Sequence, residues 1–229
     1  AMEILDNDGN PDEALEWLNK QLQENPKHGD ALVARAMFFY SKEEYGKSLS
    51  DLNNAIKYYN KHNEYKMSSI YNGRAMVYEE MGEWRLAADD YVMAMMYGEN
   101  RRSVAAINRL SSIAYEPVVA ALSTAIDTAE EKGYYYFIRG SIHMNNNHFT
   151  ASIQDWNTIV EEKYLHYHAV YYNRGYCYMR LGQFEYALDD ISAAIRMKND
   201  LMSYYVTRSK LHRVMGDFDK ATEDLSMAS

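Results

Sequence analysis

YYNRGYCYMRLGQFEYALDDISAAIRM, residues 171–197, reads as two helices joined by a turn. Phe184, Ala187, Leu188, Ile191, Ala194 and Ile195 recur at three- and four-residue steps, the spacing of one face of an α-helix. A second helix is therefore expected over about residues 184–197, preceded by a first over about residues 168–180. Leu181, Gly182 and Gln183 turn the chain between them, and Gly182 suits the left-handed conformation that commonly ends a helix.

The same phrase returns along the chain. It is legible as SYYVTRSKLHRVMGDFDKATEDLSMA (residues 203–228), YYFIRGSIHMNNNHFTASIQDWNTIV (135–160), SIYNGRAMVYEEMGEWRLAADDYVMAM (69–95) and ALVARAMFFYSKEEYGKSLSDLNNAI (31–56). The first copy is partial: DGNPDEALEWLNKQLQENP (8–26) is a second helix with only the end of a first, opened by Asn10 as N-cap, Pro11 at the first helical position and Glu13 closing a capping box. The turn residues Gly9, Glu43, Gly82, Asn147, Gly182 and Gly216 stand 34, 39, 65, 35 and 34 residues apart. The gap of 65 conceals a degenerate copy over residues 96–132, still readable as two helices with Pro117 near the start of the second. The spacing of 39 implies about five extra residues around 58–67, as an elongated helix end or a loop.

Arginines and aspartates keep step with this repeat. Arg35, Arg74, Arg139, Arg174 and Arg208 are each followed 16 residues later by Asp51, Asp90, Asp155, Asp190 and Asp224, and the degenerate copy lacks the pair. Each arginine adjoins a small residue of its first helix, and each aspartate precedes a core position of its second. A half-buried guanidinium needs a carboxylate to offset its desolvation, so the pairs read as structural clamps rather than a functional charge stripe. Arg139 keeps Asp155 although the copy before it offers Ala121, and Arg35 keeps Asp51 although the copy before it offers Trp17, so pairing within a repeat is expected.

A helix–turn–helix unit of about 34 residues resembles the tetratricopeptide repeat. The small position of the first helix holds Ala36, Ala75, Gly140, Gly175 and Ser209. The second helices carry small residues twice, as Ala87 with Ala94, Ala187 with Ala194, and Ala221 with Ala228. The aromatic after the turn is Tyr45, Trp84, Phe149, Phe184 and Phe218. The departures are the degenerate copy, the partial first copy, and Ser48 and Ser152 where alanine is usual. The resemblance implies an all-α solenoid, a right-handed superhelix of about six and a half hairpins, as one domain over residues 1–229. Its clear repeats fall near residues 29–60, 68–98, 133–165, 168–199 and 202–229, with a partial one at 1–28 and the degenerate one at 96–132.

The resemblance also implies a peptide-binding concave wall on the exposed side of the first helices. The residues at those places are Val33, Met37 and Tyr40; Asn72, Met76 and Glu79; Phe137, Ser141 and Met144; Tyr172, Tyr176 and Met179; Val206, Lys210 and Arg213. Methionine adapts to irregular partners and tyrosine offers a large contact area, so the centre of this wall suits peptide recognition. Tight curvature would bury the same residues against neighbouring helices, and that alternative stands beside it. Some members of the family hold a C-terminal carboxylate with a lysine, asparagine and arginine cluster. The corresponding places here mostly lack lysine, and that reading is set aside.

Composition narrows the function classes. Of 229 residues 47% are hydrophobic, ample for a buried core. Lys and Arg number 24 against 33 Asp and Glu, a net charge of −9 that argues against nucleic acid or an anionic membrane as partner. No apolar run approaches the roughly 20 residues of a membrane span. The acidic N-terminus lacks a signal-peptide core, and Ala1 before Met2 leaves the native start open. Cys177 is the single cysteine, consistent with a reducing compartment, and a cytoplasmic location is expected. His166 with His168, and His143 with His148, lack metal-site spacing. His143 and His212 take places held elsewhere by Phe39, Tyr78 and Tyr178. Asp89–Asp90 and Asp189–Asp190 belong to the repeat phrase, and no nucleophile elbow or phosphate loop is present. The expected function is a non-catalytic scaffold binding a protein or peptide, with no cofactor or metal. The alternatives are a homo-oligomerisation module, in which the Tyr- and Met-rich surface meets a second copy, and a regulatory fragment of a larger protein.

Overall fold

The computed structural model describes residues 11–98 and 101–228. Among them are 13 helices and no strand, an all-α helical-repeat fold. The chain divides into two compact units, Ala1–Ala121 and Leu122–Ser229. The first holds α1 (Pro11–Glu24), α2 (Gly29–Ser41), α3 (Tyr45–Tyr58), α4 (Glu64–Glu80), α5 (Trp84–Met96) and α6 (Arg101–Ser111). The division falls inside α7 (Tyr115–Thr128). The second holds α8 (Lys132–Asn145), α9 (Phe149–Glu161), α10 (His168–Arg180), α11 (Phe184–Met197), α12 (Met202–Met215) and α13 (Phe218–Met227). Asn10, expected to cap α1, lies outside the described residues; Pro11 is the first residue of that helix.

One turn design recurs. Backbone N–H groups of Glu44, Glu83, His148, Gln183 and Asp217 donate to the carbonyls of Phe39, Tyr78, His143, Tyr178 and His212, each five residues back. This is the Schellman closure, and it needs a left-handed residue one place earlier. Glu43, Gly82, Asn147, Gly182 and Gly216 supply it, with φ of 60°, 75°, 62°, 75° and 85°. The α6–α7 turn differs. Ile113 stands at that place, and a β-branched side chain excludes the left-handed conformation. There the Ala114 N–H donates to Leu110, four residues back. The extra residues of the second clear copy are taken up mainly by α4, which runs to 17 residues where α10 has 13.

Helix pairs close on small residues. A Cβ on Gly175 would stand 2.9 Å from Ile191 Cγ1 and 3.1 Å from the Ala187 carbonyl oxygen, so α10 and α11 meet at a distance that only glycine allows. In the first unit the core gathers Leu18, Leu32, Ala36, Leu52, Ala55 and Ile70. In the second it gathers Trp156, Ile159 and Val170, and then Ala187, Ile191, Ala194 and Leu211. Each fully buried large side chain contributes about 1.5–3 kcal/mol relative to exposure. Within each unit these layers set the helix faces described next.

Candidate functional site

The five arginines and five aspartates meet within their own repeats. Nε and Nη2 of Arg35, Arg74, Arg139, Arg174 and Arg208 donate to the two carboxylate oxygens of Asp51, Asp90, Asp155, Asp190 and Asp224 at 2.6–3.0 Å. All five aspartates are buried. Burial pushes the Asp90 carboxyl up despite its partner. Burial pulls the Arg74 guanidinium down, but the hydrogen bonds and charge of Asp90 outweigh it and hold Arg74 above its ordinary value.

The guanidinium also reaches backward. Nη1 of Arg35, Arg74, Arg139, Arg174 and Arg208 donates to Asn19, Asn53, Ser123, Asn157 and Ser192, in the second helix of the preceding repeat. Each acceptor stands eight residues after the first residue of its helix, as Asn157 does after Phe149 (157 − 149). Four of the arginines also lie over the ring of the tyrosine three residues before them, at 5.3–5.8 Å: Tyr71, Tyr136, Tyr171 and Tyr205. An arginine thus ties two carboxylate oxygens within its repeat and one neutral acceptor outside it. The Asn/Ser rhythm was open to reading in the sequence, but only once the copies were aligned on the second helix.

The wall residues of the first unit sit on α2 and α4. Met37 and Met76 are exposed, at 39% and 37%. Tyr40 is partly buried and its hydroxyl donates to Glu80 Oε1 at 3.3 Å. Asn72 donates to the Ser68 carbonyl and accepts from Ser103 Oγ, and it lines a separate cleft with Tyr65, Tyr97 and Arg102.

In the second unit Phe137 packs edge-on against Trp156, 5.2 Å between centroids. Tyr172 stacks on Tyr204 at 4.2 Å and shares a 3.0 Å hydrogen bond with Thr207, and Met179 packs on the same core. Met144, Tyr172 and Tyr176 come together in one cleft of about 360 Å³ that also takes in Asn145, Asn147, Asn173 and Arg180. Arg180 lies over the Phe149 ring at 4.6 Å and donates to the Tyr176 hydroxyl at 3.0 Å. Lys210 is exposed on α12 and is not among the residues lining this cleft.

A family model described as tetratricopeptide repeat matches residues 168–201. Those residues are one hairpin, and the shared turn closure and Arg–Asp pairing carry the same unit into four others. Residues 168–201 are a tetratricopeptide repeat, and the chain carries further helical hairpins of the same design. No curated protein matches it. Among solved structures, it is similar to MamA of AMB-1 (TM-score 0.50, 12% identity, 70% of this chain and 89% of that one). It is also similar to a tetratricopeptide repeat protein of Parabacteroides merdae (TM-score 0.47, 17% identity, 93% and 84%). A third match is to the Cut9–Hcn1 assembly of the APC/C (TM-score 0.49, 11% identity, 96% of this chain); the chain spans 43% of the chain it matches there.

The departures from the tetratricopeptide repeat pattern have physical reasons. Ser48 Oγ donates to the Ala36 carbonyl, and Ser152 Oγ to the Gly140 carbonyl. Ser152 also accepts from Trp156 Nε1 at 2.8 Å and from Cys177 Sγ. Cys177 is buried, and burial pushes its thiol up, away from thiolate chemistry. The degenerate repeat carries Ala105 and Ala121 where the others carry Arg and Asp. Arg109 pairs instead with Glu79 of the preceding repeat, and Tyr91 donates to the same carboxylate at 2.8 Å. Ser123 of this copy still serves Arg139 of the next. His143 and His212 stand beside the clamp aspartates, 3.7 Å from Asp155 and 4.0 Å from Asp224. Among the described residues no group of three or more His, Cys, Asp or Glu could hold a metal ion, and no helix is long and apolar enough to cross a membrane.

Proposed function

We propose that the chain is a non-catalytic scaffold that binds an extended segment of a partner protein along the first helices of its second unit. The observation that carries this reading is the convergence of Met144, Tyr172 and Tyr176 with Asn145, Asn147 and Asn173 in one cleft. Two aromatic rings and a thioether offer adaptable apolar contact. Asparagine amides offer a donor and an acceptor matched to a peptide backbone. The wall of the first unit, with Met37, Tyr40, Asn72 and Met76, is a second, separate contact area in the same reading. The setting is a reducing compartment such as the cytoplasm.

The test is selection of a random peptide library on the intact protein, repeated with Tyr176→Ala. Tyr176 is the better probe than Tyr172, because Tyr172 also stacks on Tyr204 and its loss would disturb packing. Enrichment unchanged by Tyr176→Ala rejects the cleft as the binding site.

Self-association is the second reading, favoured by the last hairpin, where Phe218 and Leu225 are 67% and 47% exposed. Light scattering over a concentration series separates it: a monomer throughout removes it.

A further inference from the structure

The first helices of the second unit contain no acidic residue. α8 is KGYYYFIRGSIHMN, α10 is HAVYYNRGYCYMR and α12 is MSYYVTRSKLHRVM. Their partners hold the acids: Asp155 and Glu161 on α9; Glu185, Asp189 and Asp190 on α11; Asp219, Glu223 and Asp224 on α13. In a chain of net charge −9, charge is thus sorted by helix layer. Arg139, Arg174 and Arg208 are neutralised by their aspartates. Arg180, Lys210 and Arg213 have no carboxylate partner among the described residues. The first unit differs: its first helices carry Asp30, Glu64, Glu79 and Glu80, and Arg109 is taken by Glu79.

We infer that the second unit recognises an acidic extended peptide carrying an apolar side chain, with Arg180 as its carboxylate anchor. This rests on the peptide-binding reading above and adds the chemistry of the partner. Arg180 is preorganised: the Phe149 ring supports its plane, and Tyr176 takes one Nη1 proton. Nε and Nη2 remain in the fork geometry that receives a carboxylate through two parallel hydrogen bonds. Met144 and Tyr176 beside it accept the apolar side chain, and Lys210 and Arg213 on α12 extend the positive field beyond the cleft. Such a field speeds encounter and selects partners by sign more than it adds raw affinity. A long polyanion fits less well, because the charge of the remaining chain repels it.

The probe is a labelled peptide with blocked ends, alternating Asp and Glu with small residues around one phenylalanine, compared with its Asn/Gln isostere by fluorescence anisotropy. The acidic peptide binds about ten-fold more tightly at low salt, and the margin shrinks at physiological salt. Arg180→Gln removes most of the margin, and Lys210→Gln with Arg213→Gln reduces it in a second variant that leaves the Phe149 contact intact. Thermal melts of the variants match the parent. Equal affinity for peptide and isostere overturns the acidic preference; if Tyr176→Ala weakens both alike, the peptide-binding reading survives without it. Binding of neither peptide overturns the inference. A single-stranded oligonucleotide bound as tightly as the acidic peptide overturns the peptide assignment.

Discussion

Arg174 Nη1 donates to Asn157 Oδ1 at 2.9 Å, a bond that leaves the repeat in which the rest of the guanidinium is held. The other two donors go to Asp190 at 2.7 Å. The carboxylate fixes the two helices of the hairpin, and the amide fixes that hairpin to the one before.

Removing one partner of this pair leaves a buried charge without compensation. Asp190→Ala is expected to cost about 3–5 kcal/mol, and Asn157→Ala about 1–2 kcal/mol. Arg174→Met combined with Asp190→Leu removes both charges and stays within about 2 kcal/mol of the parent. Urea unfolding of the four proteins checks this. A double variant as unstable as Asp190→Ala alone would show that the pair is a net source of stability rather than a register device.

The turn position separates residues that tolerate a left-handed backbone from those that do not. Glu43, at φ 60°, should gain about 0.5–1 kcal/mol on replacement by glycine. Gly182→Ala, at φ 75°, should lose about 1–2 kcal/mol. Ile113→Gly gains nothing, because the backbone there is not left-handed, and the added flexibility costs about 0.5–1 kcal/mol. Equal gains at Glu43 and Ile113 would remove the distinction between the two turn designs.

How much was legible follows from what repeats. Helix limits such as His168–Arg180 and Phe184–Met197 were readable because one apolar period recurs in copy after copy. The bidentate arginines were readable because both partners keep a fixed spacing. The backward bond to Asn157 was harder to read: its acceptor alternates between asparagine and serine, belongs to the neighbouring repeat, and keeps step only when the copies are aligned on the second helix. The Glu79–Arg109 pair was illegible for a different reason: it occurs once, where the copy has lost its own pair, so no rhythm announces it. The wall was half legible. Side-chain identity marked Tyr172, but whether it faces a partner or the next helix depends on stacking with Tyr204, a contact between repeats.

Ser152 is a buried junction where the family commonly has alanine. Its hydroxyl donates to the Gly140 carbonyl and accepts from the Trp156 indole. Ser152→Ala therefore strands a buried indole N–H, and a loss of about 1–3 kcal/mol is expected. Trp156→Phe alone creates a cavity and also loses stability. In the double variant the stranded donor is gone, so the combined loss falls short of the sum by about 1 kcal/mol. Additive losses in urea unfolding would mean that the indole bond contributes nothing.

Alkali reads out the buried tyrosines. Burial, then the neighbouring Tyr134 and Glu131, push Tyr135 up to about 12; burial, then Tyr167 and Tyr172, do the same to Tyr204. Burial also raises Tyr91, and the proton it donates to Glu79 raises it further. In the unfolded chain a phenol ionises near pH 10. A group whose folded value lies above its unfolded value adds stability that is complete below the unfolded value. That stability is lost as pH rises from about 10 towards 12. The measurement is an absorbance titration of the phenols beside far-ultraviolet circular dichroism. A late, steep step should coincide with loss of helical circular dichroism. Tyr204→Phe removes one linked group, so its alkaline loss of stability is shallower than the parent's. A late step that precedes any loss of helix would mean that these phenols ionise in the folded protein, and the linkage would not hold.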